Sequence, residues 1–297
     1  MLNFRRKYET PERAAYGHRR VRDVPHPKRP GVRCVSFENY TLDELIGHLR
    51  GRRQSGAYVE LLERYDPPRV FPDLGDFRLG PNTFRRTALD WIMMLSQDAG
   101  RRDSELVAHG ITTRFRWDGD SANLPRGWTG VVRRSYEESV LGSVAPNTLV
   151  GLFIFAEKAF REHGWAAEVA QEMKRLAREE GLTGLIIPLR LPTRYEWENA
   201  RIPFEEFAFL RRDDGQYRDH WLRMHVRLGA EVIGVSNVSH QHAMHPDDLR
   251  RLFHCKQLEN SGEHLVRRED EYYTAFVDLE REFAVINEGC VWVRHPL

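Results

Sequence analysis

The sequence predicts an α/β protein organised around a strand–turn–helix–strand unit near the middle of the chain. Residues 149–156 form a continuous apolar run, which is typical of a buried strand. Between residues 166 and 180, apolar side chains recur every three or four positions, as on one face of a helix, and Gly181 can end that helix. A second apolar run covers residues 185–189. Because a helix joins the two runs, we expect two parallel strands.

The turn before this helix has the features of an anion site. The first turn of a helix presents backbone N–H groups and the positive end of the dipole. Gly164 has no side chain, so a phosphate could approach the backbone closely. Neither the dinucleotide pattern GxGxxG nor the phosphate-loop pattern GxxxxGK[ST] occurs in the chain. These residues do not identify the anion, and an ordinary strand-to-helix connection could have the same pattern.

Composition restricts the classes of function. The 297 residues allow one large or two small domains, and their net charge of +1 gives no overall attraction to nucleic acid. No run of about 18 apolar residues indicates a membrane span, and the basic N-terminus lacks the apolar segment of a secretory signal. The three cysteines are far apart, which argues against disulfides and a cysteine zinc site. We therefore expect a cytoplasmic protein without nucleic-acid or membrane partners.

The first third of the chain predicts a basic arm followed by helices. Residues 1–35 contain an excess of arginine and lysine and several prolines, which indicates a mobile arm. This arm could be a solvated tail, or it could dock to an acidic carrier protein or to coenzyme phosphates. Helices are predicted over residues 41–50, 57–65 and 87–95, with a long loop over 66–84.

The remainder of the chain predicts strands alternating with helices. From Glu105 to Trp117 the pattern has a period of two residues, which indicates a strand with one buried face. Later predicted elements are a helix over 130–141, a helix over 218–228, a strand over 230–235, and strands or a helix over 276–285 and 290–293.

Several motifs resemble one acyltransferase superfamily. The pattern Arg161-x-x-Gly164-x-Ala166 after an apolar strand is similar to the Q/R-x-x-G-x-G/A signature of the GCN5-related N-acetyltransferase (GNAT) superfamily. In a bacterial GNAT-like subgroup, similar pieces occur in the same order over about residues 106–297. These are RWDGD at 116–120, PNTL at 146–149, PT at 192–193, WLRMHVRLGA at 221–230 and VWVRH at 291–295.

The chain departs from the subgroup's pattern in three places. Trp165 is bulkier than usual beside the glycine, and the segments 193–196 and 239–268 are unusual. These departures concern the acceptor site more than the coenzyme site.

The resemblance implies a fold and a division of the chain. It implies one domain over residues 36–297, with a mixed, twisted and splayed sheet flanked by helices. Within it we expect a helical extension over 36–105, a coenzyme-binding core over 106–238 and a C-terminal part over 239–297, with the basic arm over 1–35 preceding it.

The resemblance also implies a site for an acyl-coenzyme A. The coenzyme would enter where the two parallel strands separate, with its pyrophosphate on the amides from His163 to Ala166. A backbone N–H between Phe153 and Phe155 would stabilise the oxyanion of the thioester carbonyl, although these residues alone could be plain core. The implied coenzyme-binding residues are Phe153, Phe155, Arg161, His163, Gly164, Trp165 and Ala166.

The first functional hypothesis is direct acyl transfer. An amine, a hydroxyl or the thiol of a carrier protein would attack the thioester carbonyl. One of the nearby carboxylates could act as the general base, although acidic side chains are usually only solvated. The candidates are Glu157, Glu162, Glu196 and Glu198.

The second hypothesis is decarboxylation. One branch of the superfamily loads polyketide assembly lines and uses a Thr and a His to remove CO2 from malonyl thioesters, and Thr193 and His225 match those positions. His225 lies on the apolar face of its predicted helix, so it could equally be a core histidine. A third hypothesis is a non-catalytic module that binds thioesters or carrier proteins.

A histidine motif lies outside these assignments. His240, His242 and His245 form HxHxxH, and on a strand the first two would share a face. No carboxylate or cysteine completes a clear set of ligands, so we expect no metal. A helix is predicted to begin at Pro246.

Overall fold

A computed structural model describes residues 20–24, 34–41, 90–97, 105–141, 144–156, 164–255 and 258–297. The described residues contain ten strands, and these form one mixed sheet. The strands are β1 (Arg20–Val24), β2 (Cys34–Thr41), β3 (Asp90–Gln97), β4 (Glu105–Phe115), β5 (Thr148–Ala156), β6 (Gly184–Leu189), β7 (Glu231–Met244), β8 (Gly262–Arg268), β9 (Glu271–Asp278) and β10 (Phe283–His295).

Helices lie before and between the later strands. They are α1 (Gly127–Leu141), α2 (Trp165–Glu179), α3 (Phe204–Ala208), α4 (His220–Arg227) and α5 (Pro246–Leu252). Short 3-10 turns cover Ser121–Asn123 and Pro192–Tyr195. Among the helices of the described segments, none is long and apolar enough to cross a bilayer. The cytoplasmic location stays a prediction.

The sheet has the order β1-β2-β3-β4-β5-β6-β10. Strand β10 pairs with β7 along one edge, while its other edge pairs first with β9 and then with β6; β8 completes a hairpin with β9. The β5–β6 pair is parallel, as predicted, and all other pairs are antiparallel. The predicted α/β class, a mixed sheet flanked by helices, is confirmed.

The parallel pair is short, and its strands then diverge. Only three residue pairs join β5 to β6, the last being Val150 opposite Ile186. Beyond that point β5 continues along β4 to Ala156, whereas β6 continues along β10 to Leu189. Each strand is therefore held by its outer neighbour, and a gap opens between them.

Helix α2 packs closely on one face of the sheet because two small residues lie under it. A Cβ on Gly110 would lie 2.7 Å from side-chain atoms of both Met173 and Val169 of α2. A Cβ on Gly151 would lie 3.0 Å from the Met173 sulfur. Met173 and Val169 are fully buried in the main apolar core, which also contains Leu149. Larger side chains at either glycine would push α2 away from the sheet.

Helix α1 lies on the opposite face. Thr113 of β4 donates to the Ser135 hydroxyl at 3.0 Å, and its side chain points away from α2 because strand residues alternate. The N-terminus of α1 is fixed to β7, since the Ser239 hydroxyl accepts from the Trp128 amide at 2.8 Å. The two helices therefore enclose the splayed strands from both sides.

One predicted helix is wrong. The sequence predicts a helix over residues 87–95, but Asp90–Gln97 is strand β3, hydrogen-bonded to β2 and β4. Its continuous apolar run fits a strand paired on both edges as well as it fits a helix, and tertiary pairing decides the outcome. The predicted helices over 41–50 and 57–65 and the loop over 66–84 lie outside the described residues, except that Thr41 ends β2.

Other elements agree with their predictions or extend them. Helix α1 begins three residues before the predicted 130–141, and β7 runs nine residues past the predicted end at Val235. The late segments form strands β9 and β10, and α5 begins at Pro246 as expected. Part of the predicted basic arm is strand β1. The division of the chain at residues 35, 105 and 238 stays a prediction.

The contact between α1 and β7 gives a test of the fold. Gly127 has φ +57°, and a Cβ there would overlap the Cα of Ser239. We expect Gly127→Ala to lower the free energy of unfolding in urea by about 2 kcal/mol more than Gly119→Ala. Gly119 has φ +89° with nothing within 4 Å, so it isolates the cost of the backbone conformation. Equal losses for the two variants would contradict the packing described here.

Candidate functional site

The N-terminus of α2 is open among the residues that the structure describes. Gly164 occupies the N-cap with φ +83°, and no side chain of the described segments caps the helix. This glycine is exposed, and a Cβ there would meet no described atom within 4 Å. Its carbonyl accepts from Ala167 at 3.0 Å and from Glu168 at 3.3 Å, which closes the first turn. The end of the helix therefore presents space and positive potential to an anion.

Trp165 does not obstruct this space. Its side chain is 1% exposed and belongs to the apolar core with Val169 and Leu149. The indole ring, which is bulkier than the residue usual at this position of the family pattern, therefore points into the protein. Ala166 follows in the first turn and is half-buried. Arg161, His163, Glu157 and Glu162 lie outside the described residues, so their roles stay predictions.

A β-bulge marks the part of β5 that diverges from β6. Ile111 of β4 pairs with Phe153, but the next residue, Thr112, pairs with Gly151, so Leu152 is the extra residue. The indole N–H of Trp128 in α1 donates to the Leu152 carbonyl at 3.1 Å. Bulges alter the direction of backbone groups and occur often beside active sites. The bulge therefore reorients the backbone of β5 at the gap.

Phe153 and Phe155 follow the bulge and are both half-buried. They pair with Ile111 and His109 of β4, and the Phe155 and His109 rings lie 5.4 Å apart. Both phenylalanines lie on the side of the sheet that faces away from α2. They lie on the part of β5 that borders the gap, and their predicted oxyanion and coenzyme-binding roles stay predictions.

Thr193 and His225 make different hydrogen bonds. The Thr193 hydroxyl lies 3.1 Å from Nδ1 of His220, and its amide donates to Asp219 at 3.1 Å. Asp219 also caps α4 by accepting from Trp221 and Leu222. The threonine thus lies beside the first turn of α4, whereas His225 lies in its last turn.

His225 is part of a buried histidine pair. Its Nδ1 lies 2.8 Å from Nε2 of His295, and its ring stacks on Trp221. Both imidazoles are 0% exposed. Burial, together with the charge of His295, lowers the pKa of His225 to about 3. Burial, together with Lys174, lowers the pKa of His295 to about 4. This environment is that of a neutral core histidine, and the predicted catalytic role of His225 stays a prediction.

A polar cluster lies where β6 ends. Arg190 follows β6 and donates through Nε to Glu288 of β10 at 2.6 Å. Its Nη1 and Nη2 donate to Glu271 of β9 at 2.8 Å, and its guanidinium lies 3.8 Å from the centre of the Tyr195 ring. The cluster thus joins β10 to β9 beside the end of β6. We call Arg190, His242, Glu271, Tyr273 and Glu288 the Arg190 cluster.

His242 completes the cluster on the β7 side. Its Nε2 lies 3.0 Å from Oε1 of Glu288, whose other oxygen accepts from Arg190. Burial alone would raise the pKa of Glu288, but the hydrogen bond from His242 and the charge of Arg190 outweigh it. The pKa of Glu288 is therefore held well below its ordinary value, and this carboxylate is ionised.

The histidine motif connects this cluster to the bulge. The His240 and His242 rings meet edge-on with centroids 4.3 Å apart, so they share a face of β7 as predicted. His240 Nδ1 lies 3.1 Å from the Thr129 hydroxyl, and its ring meets that of Trp128 at 6.3 Å. His245 instead caps α5. Within the described segments, no group of three or more His, Cys, Asp and Glu side chains has metal-binding geometry.

The predicted carboxylates on the later segment lie at the surface. Glu196 and Glu198 are exposed, and Glu198 accepts from Arg218 at 3.2 Å. Sequence reasoning missed Arg190, Glu271 and Glu288. The one available signal was Arg190, a charged residue directly after the apolar run of β6.

The open helix N-terminus beside a splayed parallel pair is the arrangement that the resemblance to the GNAT superfamily implies. A curated relative, the arginine N-acetyltransferase avaD of Aspergillus versicolor, is 27% identical over 223 residues, covering 69% of this chain and 76% of avaD. This similarity to an N-acetyltransferase supports the resemblance to the GNAT superfamily that the motifs predict. No protein-family profile matches the chain.

Two solved structures are also similar. The loading GNATL domain of CurA from Lyngbya majuscula is 12% identical with a TM-score of 0.43, covering 88% of this chain and 97% of that one. The GphF GNAT-like decarboxylase, solved with isobutyryl-CoA, is 15% identical with a TM-score of 0.41, covering 88% of this chain and 98% of that one.

The histidine pair predicts acid sensitivity. The pKa values of His225 and His295 are lower in the folded protein than the ordinary 6.5, so the unfolded state binds more protons below pH 6.5. Their contribution to stability is complete above pH 6.5 and is lost as the pH falls towards 4. We expect the free energy of unfolding to fall by up to about 1.4 kcal/mol per pH unit for each imidazole.

Urea denaturation between pH 7.5 and 5 measures this slope. His225→Phe removes one titrating group and should flatten the dependence, even if it lowers stability at pH 7.5. His264→Gln is the control, because the His264 imidazole hydrogen-bonds the Asn260 carbonyl at the surface. An unchanged slope in His225→Phe would show that this histidine is accessible to protons in the folded state.

Proposed function

We propose that this protein is an acyl-coenzyme A-dependent acyltransferase that acylates an amine. The observation that carries the proposal is the splay of β5 and β6 after Val150 and Ile186, with the open N-terminus of α2 at Gly164 beside it. The open helix end suits the pyrophosphate, and the gap between the strands suits the extended pantetheine chain and thioester.

Transfer in this arrangement needs no covalent enzyme intermediate. The amine nitrogen attacks the thioester carbonyl carbon, and the carbonyl oxygen becomes an oxyanion. A backbone N–H of β5 after the bulge at Leu152 would stabilise that charge. The C–S bond then breaks, coenzyme A leaves as a thiolate, and the amine's proton passes to a base. Holding both reactants together supplies a large part of the rate enhancement.

The acceptor is inferred from the relative. Because avaD is an arginine N-acetyltransferase, we infer an amine acceptor, and free L-arginine is the first compound to test. A hydroxyl compound and a carrier-protein thiol are the other predicted acceptors. A polar, net acidic cluster beside the gap suits a cationic amine better than an anionic carrier protein, because Arg190 is opposed by two glutamates.

Decarboxylation of malonyl or methylmalonyl thioesters is the second candidate. The Thr193 hydroxyl contacts the imidazole of His220 and not that of His225, which is hydrogen-bonded to His295. Release of CO2 from malonyl-coenzyme A by the wild type that disappears in His225→Ala would favour this reaction over transfer. Thioester binding without turnover on any donor would indicate the third predicted function, a non-catalytic module.

The coenzyme site can be tested with two glycines of α2. Gly164→Glu places a negative charge at the open helix end, and we expect it to weaken coenzyme A binding by about tenfold or more, equivalent to about 1.4 kcal/mol. Gly181→Glu is the matched control just past the other end of the helix. Gly181 also has a positive φ, +66°, and a Cβ added there would meet no described atom within 4 Å. Both variants should lose similar thermal stability. Isothermal titration calorimetry measures affinity, and equal affinities would refute this site.

A second assay tests turnover. Wild-type protein is incubated with acetyl-coenzyme A and a panel of amines that includes L-arginine, and the released thiol is measured with a chromogenic disulfide. We expect release that depends on one class of amine. Binding of coenzyme A without release for any amine would refute the proposed transfer reaction.

A further inference from the structure

We propose that His242, oriented by Glu288, accepts the proton that the acceptor amine loses during transfer. This inference rests on the proposed function and adds a catalytic residue to it. The carboxylates suggested by the sequence do not fill this role in the described part of the site, because Glu196 and Glu198 are exposed and Glu198 pairs with Arg218. The HxHxxH motif instead supplies a histidine that contacts an ionised carboxylate, Glu288.

The contacts that connect His242 to the gap are continuous. The Trp128 indole donates to the carbonyl of Leu152, the bulge residue of β5. The Trp128 ring contacts the His240 ring, which in turn contacts the His242 ring. The histidine therefore lies on the α1 side of the sheet, at a few side chains' distance from the diverging strand. Its side chain is 14% exposed, so a substrate or a bridging water can reach it.

Glu288 determines which nitrogen of His242 carries the proton. The carboxylate is ionised and accepts only, so the His242 Nε2 that lies 3.0 Å from it carries the hydrogen. In the neutral ring the lone pair is then on Nδ1, which is the basic atom. Arg190 binds the second Glu288 oxygen at 2.6 Å and fixes the carboxylate in place. Arg190 and Glu288 are positioning residues for the imidazole.

The proton-transfer step is balanced within the proposed reaction. As the amine nitrogen forms its bond to the thioester carbon, an N–H bond breaks and its proton moves to Nδ1 of His242. The imidazole becomes an imidazolium, and the Glu288 carboxylate stabilises its charge. When the C–S bond breaks, the thiolate leaves with the bonding electrons, and solvent later takes the proton from His242. No oxidant or further reactant is required.

Several ionisable groups lie around His242 and its partner Glu288. The Glu288 carboxylate attracts a positive charge on the imidazole, while Arg190 and the neighbouring His240 do not. Burial raises the pKa of both nearby tyrosines, so these stay neutral. The groups are His240 on β7, Glu288 on β10, Arg190 and Tyr195 after β6, and Glu271 and Tyr273 on β9.

The test is the pH profile of His242→Gln with acetyl-coenzyme A and the best amine of the panel. Glutamine can still donate to Glu288 but has no basic nitrogen, so the fold should be kept. We expect kcat/KM at pH 7 to fall about 100-fold, with the Kd for coenzyme A changed less than twofold. The loss should diminish as the pH rises, because hydroxide from the solvent can then take the proton that the attacking nitrogen loses.

His245→Asn is the matched control from the same motif. Asparagine preserves the cap of α5, so we expect wild-type kcat/KM and pH profile. Loss of kcat/KM in His242→Gln by less than threefold, or a loss of equal size at every pH, would overturn the role of His242. If the wild type binds coenzyme A but acetylates no amine, the proposed function fails instead, and the two failures are thereby distinguished.

Discussion

The structure depends on the early separation of β5 from β6. If the two strands stayed paired as far as their ends, no opening would form between them. Here the last residues of each strand pair only with the neighbouring strand on its outer edge. Strand β5 is hydrogen-bonded to β4 as far as Ala156, and β6 is hydrogen-bonded to β10 as far as Leu189. The separation is therefore enforced by two antiparallel ladders. It leaves a gap in an otherwise continuous sheet, at the position where the helix α2 begins.

The two faces of the sheet contribute different groups to the site. On the α2 face, Gly110 and Gly151 let the helix approach, and the contacts there are apolar. On the α1 face, hydroxyl, indole and imidazole groups follow one another from Trp128 to His242 and the Arg190 cluster. The apolar face fixes the position of the helix end, which must be rigid to bind an anion. The polar face can then carry chemistry without weakening the main core.

The sequence predicts local features of this site well and distant ones poorly. Apolar periodicity identified β5, α2 and β6, and Gly164 identified the open helix end, because each signal lies within a few residues. The partners of Arg190 are 81 and 98 residues away in the chain, so no local pattern contains them. The sequence predicts a helix in place of strand β3 because the apolar run there lacks a clear period. His220 and His225 lie on one short helix, and sequence alone could not decide which of them meets Thr193.

Two histidine environments show why the partner decides the role of this residue. His225 is packed against another neutral imidazole, and nothing in that pair compensates a positive charge, so burial keeps both rings neutral. His242 is also largely buried, but it contacts a carboxylate that is itself held ionised by an arginine. A histidine that acts as a base must be neutral before the reaction, and its protonated form must be stabilised by the protein afterwards. The Glu288 contact stabilises the charged form of His242, whereas the His295 contact gives His225 no such support. For this reason the unassigned motif, rather than the histidine that family resemblance favours, is the better candidate for moving a proton.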